Sequence, residues 1–197
     1  MDAKSKAVAA EIISTITNPA IVFIASLAFI VYQFADSTQE FLTSTAIGVL
    51  LLVGPGMAYT FLTWKKEKKV DIDITNREDR LVPLMLASLG ALFGGYLVST
   101  RLHNESLLLM SNILVAMLVV ITIITSQWKI SLHTSTYAAL VTLLAIFGSP
   151  HFVFLYLGLF VIAWARYYLK QHTKYQLLGG SLVGVFITAV VTLLFRA

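Results

Sequence analysis

The chain has 197 residues, of which 58% are apolar and only 12% charged, about half the charged share of an ordinary soluble domain. So few charges cannot cover a water-facing surface, which excludes a soluble globular fold and leaves an integral membrane protein. Fourteen Lys and Arg against ten Asp and Glu give a formal charge of +4; in a membrane chain this reports orientation and anionic headgroups, not a nucleic-acid partner. There is no cysteine, so disulfides, thiolate catalysis and cysteine-held metals are excluded as well.

In chain order, residues 1–17, MDAKSKAVAAEIISTIT, mix Lys4 and Lys6 with Asp2 and Glu11 and carry no signal-peptide cleavage pattern. They read as an interfacial arm, either an amphipathic helix ending near Asn18-Pro19 or a disordered segment. A membrane span needs about 20 apolar residues, because a helix rises about 1.5 Å per residue through about 30 Å of hydrocarbon. Seven runs are marked on that basis: 18–35, 42–63, 82–99, 107–126, 134–149, 152–168 and 177–195. The second contains Gly54-Pro55-Gly56 and is expected to kink. The fifth and sixth are parted only by Ser149-Pro150-His151, so they form a tight hairpin or one long broken helix. The longest polar stretch, KKEKKVDIDITNREDR from Lys65 to Arg80, is too short to fold alone. The expected fold class is all-α, a polytopic transmembrane helical bundle of seven spans, with six as the alternative, in a single membrane domain over 1–197.

With seven spans, the N-terminus and the loops at 64–81, 127–133 and 166–176 share one side of the membrane. Only Arg101 and Arg196 fall on the other, which leaves twelve of the fourteen basic residues on the crowded side. The positive-inside rule makes that side cytoplasmic. Losing one span from the fifth and sixth would scramble this separation, so the charge count supports seven.

The crowded side also gathers groups that suit phosphate. Arg77 and Arg80 are three apart and share a face of a helix. Ser131 and His133 open a later span, Arg166 closes another, His172 follows it by six residues, and Gln176 comes one helical turn after His172. Guanidinium groups bind phosphoryl oxygens through paired donors and offset charge growing in the transition state. One histidine can attack phosphorus and a second can protonate the departing oxygen. The scheme calls for no cofactor and no metal.

These residues resemble the type 2 phosphatidic acid phosphatase (PAP2) superfamily, in its small prokaryotic membrane branch. The third motif of that family is Ser-Arg, five residues, His, three residues, Asp; here Ala165-Arg166, five residues, His172, three residues and Gln176 stand in those places. The second is Pro-Ser-Gly-His, matched by Ile130-Ser131-Leu132-His133. The first is Lys, six residues, Arg-Pro: Arg80 takes the arginine place, Leu81 replaces proline, Asp73 has the lysine spacing, and Arg77 or Lys69 supplies the missing cation. The resemblance covers about residues 65–180 and implies a PAP2-like bundle that hydrolyses a lipid-linked phosphate or a prenyl diphosphate. It makes His172 the nucleophile, which Gln176 holds, and His133 the general acid. Arg77, Arg80, Ser131, Arg166 and Lys69 bind the phosphoryl group. It also implies a prokaryotic plasma-membrane protein whose reaction centre faces the cytoplasm.

Blander readings stand beside these. Lys65, Lys66, Lys68 and Lys69 make a basic collar that needs no chemistry. Trp64, Trp128 and Trp164 sit near span ends as interface anchors. Gly94-Gly95 and Gly179-Gly180 fit close helix packing, as does the Gly180 to Gly184 spacing. His103 and His151 fall on the opposite side and read as structural. Two other functions compete with hydrolysis. One is an inactive PAP2-like lipid-binding or interaction protein, since Gln176 supplies no charge where the family has Asp. The other is a magnesium-dependent prenyltransferase using Asp71, Asp73, Glu78 and Asp79, which lacks a second acidic cluster at a later helix end.

Overall fold

The structure, a computed structural model, describes residues 2–67 and 77–196. Nine α-helices run through the described residues: α1 (Ala3–Ile16), α2 (Pro19–Phe34), α3 (Thr38–Gly48), α4 (Gly54–Glu67), α5 (Arg77–Leu97), α6 (Glu105–Gln127), α7 (Leu132–Leu143), α8 (Gly158–Tyr168) and α9 (Lys174–Arg196). Three π-turns extend them at Val49–Val53, Val98–Leu102 and Leu144–Gly148, and a 3-10 helix at Pro150–Leu157 leads into α8.

Every apolar run read from the sequence is helical, but their lengths differ. Among the described residues five helical stretches are long and apolar enough to cross a membrane: Thr38–Tyr59, Arg80–Leu102, Glu105–Gln127, Pro150–Tyr168 and Lys174–Arg196. A sixth is added if α1 and α2, bent by 44° at their junction, count as one broken span. Leu132–Gly148 is apolar but shorter; its 12 + 5 residues rise about 25 Å, short of about 30 Å of hydrocarbon. The expected seven spans therefore become five, or six with the broken pair. The surface is that of a membrane protein. On α9, for instance, Leu178, Leu182 and Phe186 are exposed while Gly180, Gly184 and Thr188 are buried; large apolar groups outside and small ones inside are what lipid favours.

The chain divides into two compact units, with divisions inside α2, between α6 and α7, and inside α9. One comprises Met1–Ser26 with Ile130–Val190. In it, α1 packs along α8, so residues 3–16 are a helix with a buried face rather than a loose arm. Asp2 caps that helix by accepting from the Ser5 N–H at 2.8 Å. Its inner face carries Ala10 and Ser14, and its outer face Val8, Ile12 and Ile16. The Ser149-Pro150-His151 junction is a tight hairpin that lays α7 against the 3-10 helix and α8. Tyr137 Oη pins it by donating to the Leu155 carbonyl at 3.1 Å, and Thr142 Oγ1 lies 2.7 Å from Tyr156 Oη. α9 approaches α7 closely: a methyl group on Gly184 would collide with the Ser135 carbonyl oxygen.

The other unit comprises Leu27–Lys129 with Val191–Ala197. There α5 packs along α6 and against α4. The kink expected at Gly54-Pro55-Gly56 takes the form of the π-turn just before it. Pro55 has no N–H for the Leu51 carbonyl four residues back, and the Gly54 N–H reaches the Val49 carbonyl instead. The released Leu51 oxygen rests on Gly94 of α5, where a Cβ would be 2.7 Å away. His103 and His151 both do structural work. His103, at φ 51°, ends the turn after α5, and the His151 N–H is capped by Ser149 Oγ.

Candidate functional site

Five of the eight residues assigned to chemistry from sequence lie in the first unit, at helix ends. Arg166 sits in the last turn of α8 and is fully buried, with 0% of its surface exposed. The chain then turns back sharply. The Lys170 N–H bonds the Tyr167 carbonyl and the Gln171 N–H bonds the Arg166 carbonyl, both at 3.0 Å, while Lys170 takes φ 55°. This is the hydrogen-bond pattern of a Schellman cap, with lysine where glycine is usual. It explains how five intervening residues can return His172 to the interior, where it is 5% exposed.

α9 begins immediately afterwards. The Thr173 hydroxyl accepts from the Gln176 N–H at 3.4 Å, and Gln176 Oε1 accepts from the Thr173 N–H at 3.0 Å, a reciprocal capping box. The side-chain oxygen of Gln176, which the sequence assigns to the His172 ring, is thus engaged by the backbone of the next residue, Thr173.

Ser131 and His133 start α7, and both are buried. Ser131 is the N-cap, its hydroxyl accepting from the Thr134 N–H at 3.4 Å. Its own N–H donates to the Gln176 carbonyl at 3.3 Å, tying the start of α7 to the start of α9. Gly180 keeps the two helices close, and Thr134 Oγ1 donates across to the Leu177 carbonyl at 3.0 Å.

One residue that sequence reasoning did not single out joins this group. Ser14, in the last turn of α1, is 7% exposed. Its hydroxyl accepts from Arg166 Nη1 at 2.5 Å, and its carbonyl oxygen lies 3.2 Å from His133 Nε2. Ser14 therefore links Arg166 to His133. The only sequence hint was Asn18-Pro19, a helix stop that leaves carbonyls of the last turn unclaimed.

The remaining assignments belong to the other unit. Arg80, in the first turn of α5, is buried at 4% exposure, and Arg77 is the first residue of that helix. Lys69 lies outside the described residues, as do Asp71 and Asp73. Among the described residues no three His, Asp or Glu side chains stand close enough to share a metal ion.

No known family, curated protein or solved structure matches the chain. What stands firmly is the broad class, an all-helical multi-pass membrane protein associated with the bilayer.

Proposed function

We propose that this protein hydrolyses a lipid-linked phosphate or diphosphate through a phosphohistidine intermediate, in the manner of the type 2 phosphatidic acid phosphatases. One observation carries the reading: a fully buried guanidinium, Arg166, and a buried imidazole, His133, share Ser14 as partner, while the chain after Arg166 folds back to a second buried imidazole, His172. Burying an arginine is expensive, and an anionic phosphoryl group would offset that cost. The N-termini of α7 and α9, tied together through Ser131 and Gln176, add positive dipole ends that favour an anion.

In the proposed reaction a ring nitrogen of His172 attacks phosphorus as the ester or anhydride P–O bond breaks. His133, as the imidazolium, gives the proton on Nδ1 to the leaving oxygen and keeps the one on Nε2. Water then attacks phosphorus as the P–N bond breaks, Nδ1 of His133 takes a proton from that water, and inorganic phosphate leaves with His172 restored. Arg166 and Ser131 hold the phosphoryl oxygens; Arg77, Arg80 and Lys69 enter the scheme as cations through the family resemblance alone. No metal takes part in any step. The lipid tail stays among the helices. A cytoplasmic site belongs to the seven-span reading, which counts α1 and α2 as one broken span and lets local thinning of the bilayer carry Leu132–Gly148 across.

Gln176 favours a second reading. Its side-chain oxygen is engaged by the Thr173 N–H where the family has a carboxylate beside the nucleophile, and a chain without that charge suits a lipid binder that has lost turnover. One experiment separates the two. Purified protein, in EDTA, is offered phosphatidate, phosphatidylglycerol phosphate and prenyl diphosphates, and inorganic phosphate is measured. Release that disappears in His172→Ala supports the hydrolase; tight lipid binding without release from a folded sample supports the binder.

A further inference from the structure

Ser14 lies in a segment that neither the motif spacing nor the charge pattern brought forward, yet both of its oxygens are used. In an unbroken helix its carbonyl would accept from the N–H of Asn18. That N–H goes instead to the Thr15 carbonyl, and the Thr17 N–H goes to the Ile13 carbonyl, while Pro19 has none to offer. The early end of α1 therefore hands the Ser14 carbonyl to His133. A carbonyl oxygen only accepts, so Nε2 of His133 carries the hydrogen and the ring is held in that tautomer. The Ser14 hydroxyl meanwhile takes Arg166 Nη1. A guanidinium is a rigid planar fork, so fixing one nitrogen orients the others. The end of α1 also contributes the partial negative charge of a helix C-terminus beside two groups that are, or become, cationic.

We infer that Ser14 is a positioning residue of the phosphate site, its hydroxyl aiming the Arg166 guanidinium and its carbonyl setting the His133 ring, so that α1 is a working wall of that site. The inference rests on the reading that Arg166 and His133 serve phosphoryl transfer. It separates the two oxygens: Ser14→Ala removes the hydroxyl and leaves the carbonyl in place. In the full-length chain, Ser14→Ala is expected to lower kcat/KM about 10- to 100-fold, the range for one hydrogen bond to a charged group. The fall comes mainly through KM, and the pH limbs of kcat stay where they are. In an Arg166→Lys background the same change should add almost nothing, because the group it aims is already altered.

The measurement is kcat, KM and their pH profiles for wild type, Ser14→Ala, Arg166→Lys and the double variant. Ser14→Thr is added because it keeps the hydroxyl; it is expected to retain most of the wild-type kcat/KM even if the alanine variant folds poorly. Wild-type kinetics in Ser14→Ala, equal losses in both backgrounds, or a loss in Ser14→Thr as deep as in Ser14→Ala would each overturn the inference while leaving the hydrolase reading intact. A wild-type chain that releases no phosphate overturns the hydrolase reading, and the inference falls with it.

Discussion

The Arg166 carbonyl accepts the N–H of Gln171 at 3.0 Å, and that bond closes the turn on which His172 depends. The two residues at the centre of the proposed chemistry are thus coupled through the backbone before any side chain is considered. Lys170, at φ 55°, is the residue that makes the turn sharp. An L-residue in the left-handed region costs about 1 to 2 kcal/mol, most for a β-branched side chain.

Lys170→Gly is therefore expected to raise the melting temperature in detergent and to preserve phosphate release. Lys170→Val should lower it, because a β-branched side chain fits the left-handed region worse than lysine does. A valine variant as stable as wild type would mean the turn is not held as described.

Arg166→Lys keeps the charge but loses the planar fork. At a site where a guanidinium grips phosphoryl oxygens in pairs, a loss of at least about tenfold in kcat/KM is expected. Full activity with lysine would reduce Arg166 to a point charge.

The glycines differ sharply in what they tolerate. Gly184→Ala drives a methyl group into the Ser135 carbonyl and should destabilise by about 1 to 3 kcal/mol. Gly54 also has helical backbone angles, but it precedes Pro55, whose ring crowds a Cβ on a helical residue before it, so Gly54→Ala should gain little despite the better helix propensity of alanine. Thermal melts of the two variants, run together, compare a clash between α7 and α9 with crowding inside one helix.

Topology can be tested without any assay of chemistry. Reporters fused after Ile72 and after the C-terminus should lie on opposite sides of the membrane if Leu132–Gly148 crosses. Finding both on the same side would remove that helix from the count and with it the charge argument for a cytoplasmic site.

Asp2 offers a test by pH. Its hydrogen bonds with Ser5, first through the side chain, hold its carboxyl below the ordinary aspartate value. A group with a lowered folded pKa stabilises above its unfolded value, and that contribution fades as pH falls through the folded one. Protection of the amides at the start of α1, taken relative to their intrinsic exchange rates, should thus fall below about pH 4 in wild type, and this pH dependence should flatten in Asp2→Asn.

Much of the helical layout was legible because long apolar runs are a strong signal: all seven became helices, and the hairpin at Ser149-Pro150-His151 follows from a serine cap and a proline at a first helical position. The span count was less legible. A run such as 134–149 announces burial but not whether its helix is long enough to cross. α1 was hardest, because its inner face is made of Ala10 and Ser14, small residues that give little amphipathic contrast. Of the candidate site, Arg166, His133 and His172 stand out in the sequence because charge and imidazole are rare in this composition. Ser14 was not, since one serine among many carries no signal until its hydroxyl is seen against a guanidinium.

The early end of α1 has a practical consequence for anyone handling the protein. Its first turn is held by Asp2 and by Tyr168, whose hydroxyl donates to the Ala3 carbonyl at 3.1 Å, and its last turn touches Arg166. An affinity tag at the N-terminus would hang from the same rod that steadies the buried guanidinium. A chain trimmed of its first seventeen residues would lose a structural wall rather than a tail. Purification handles belong at the other end.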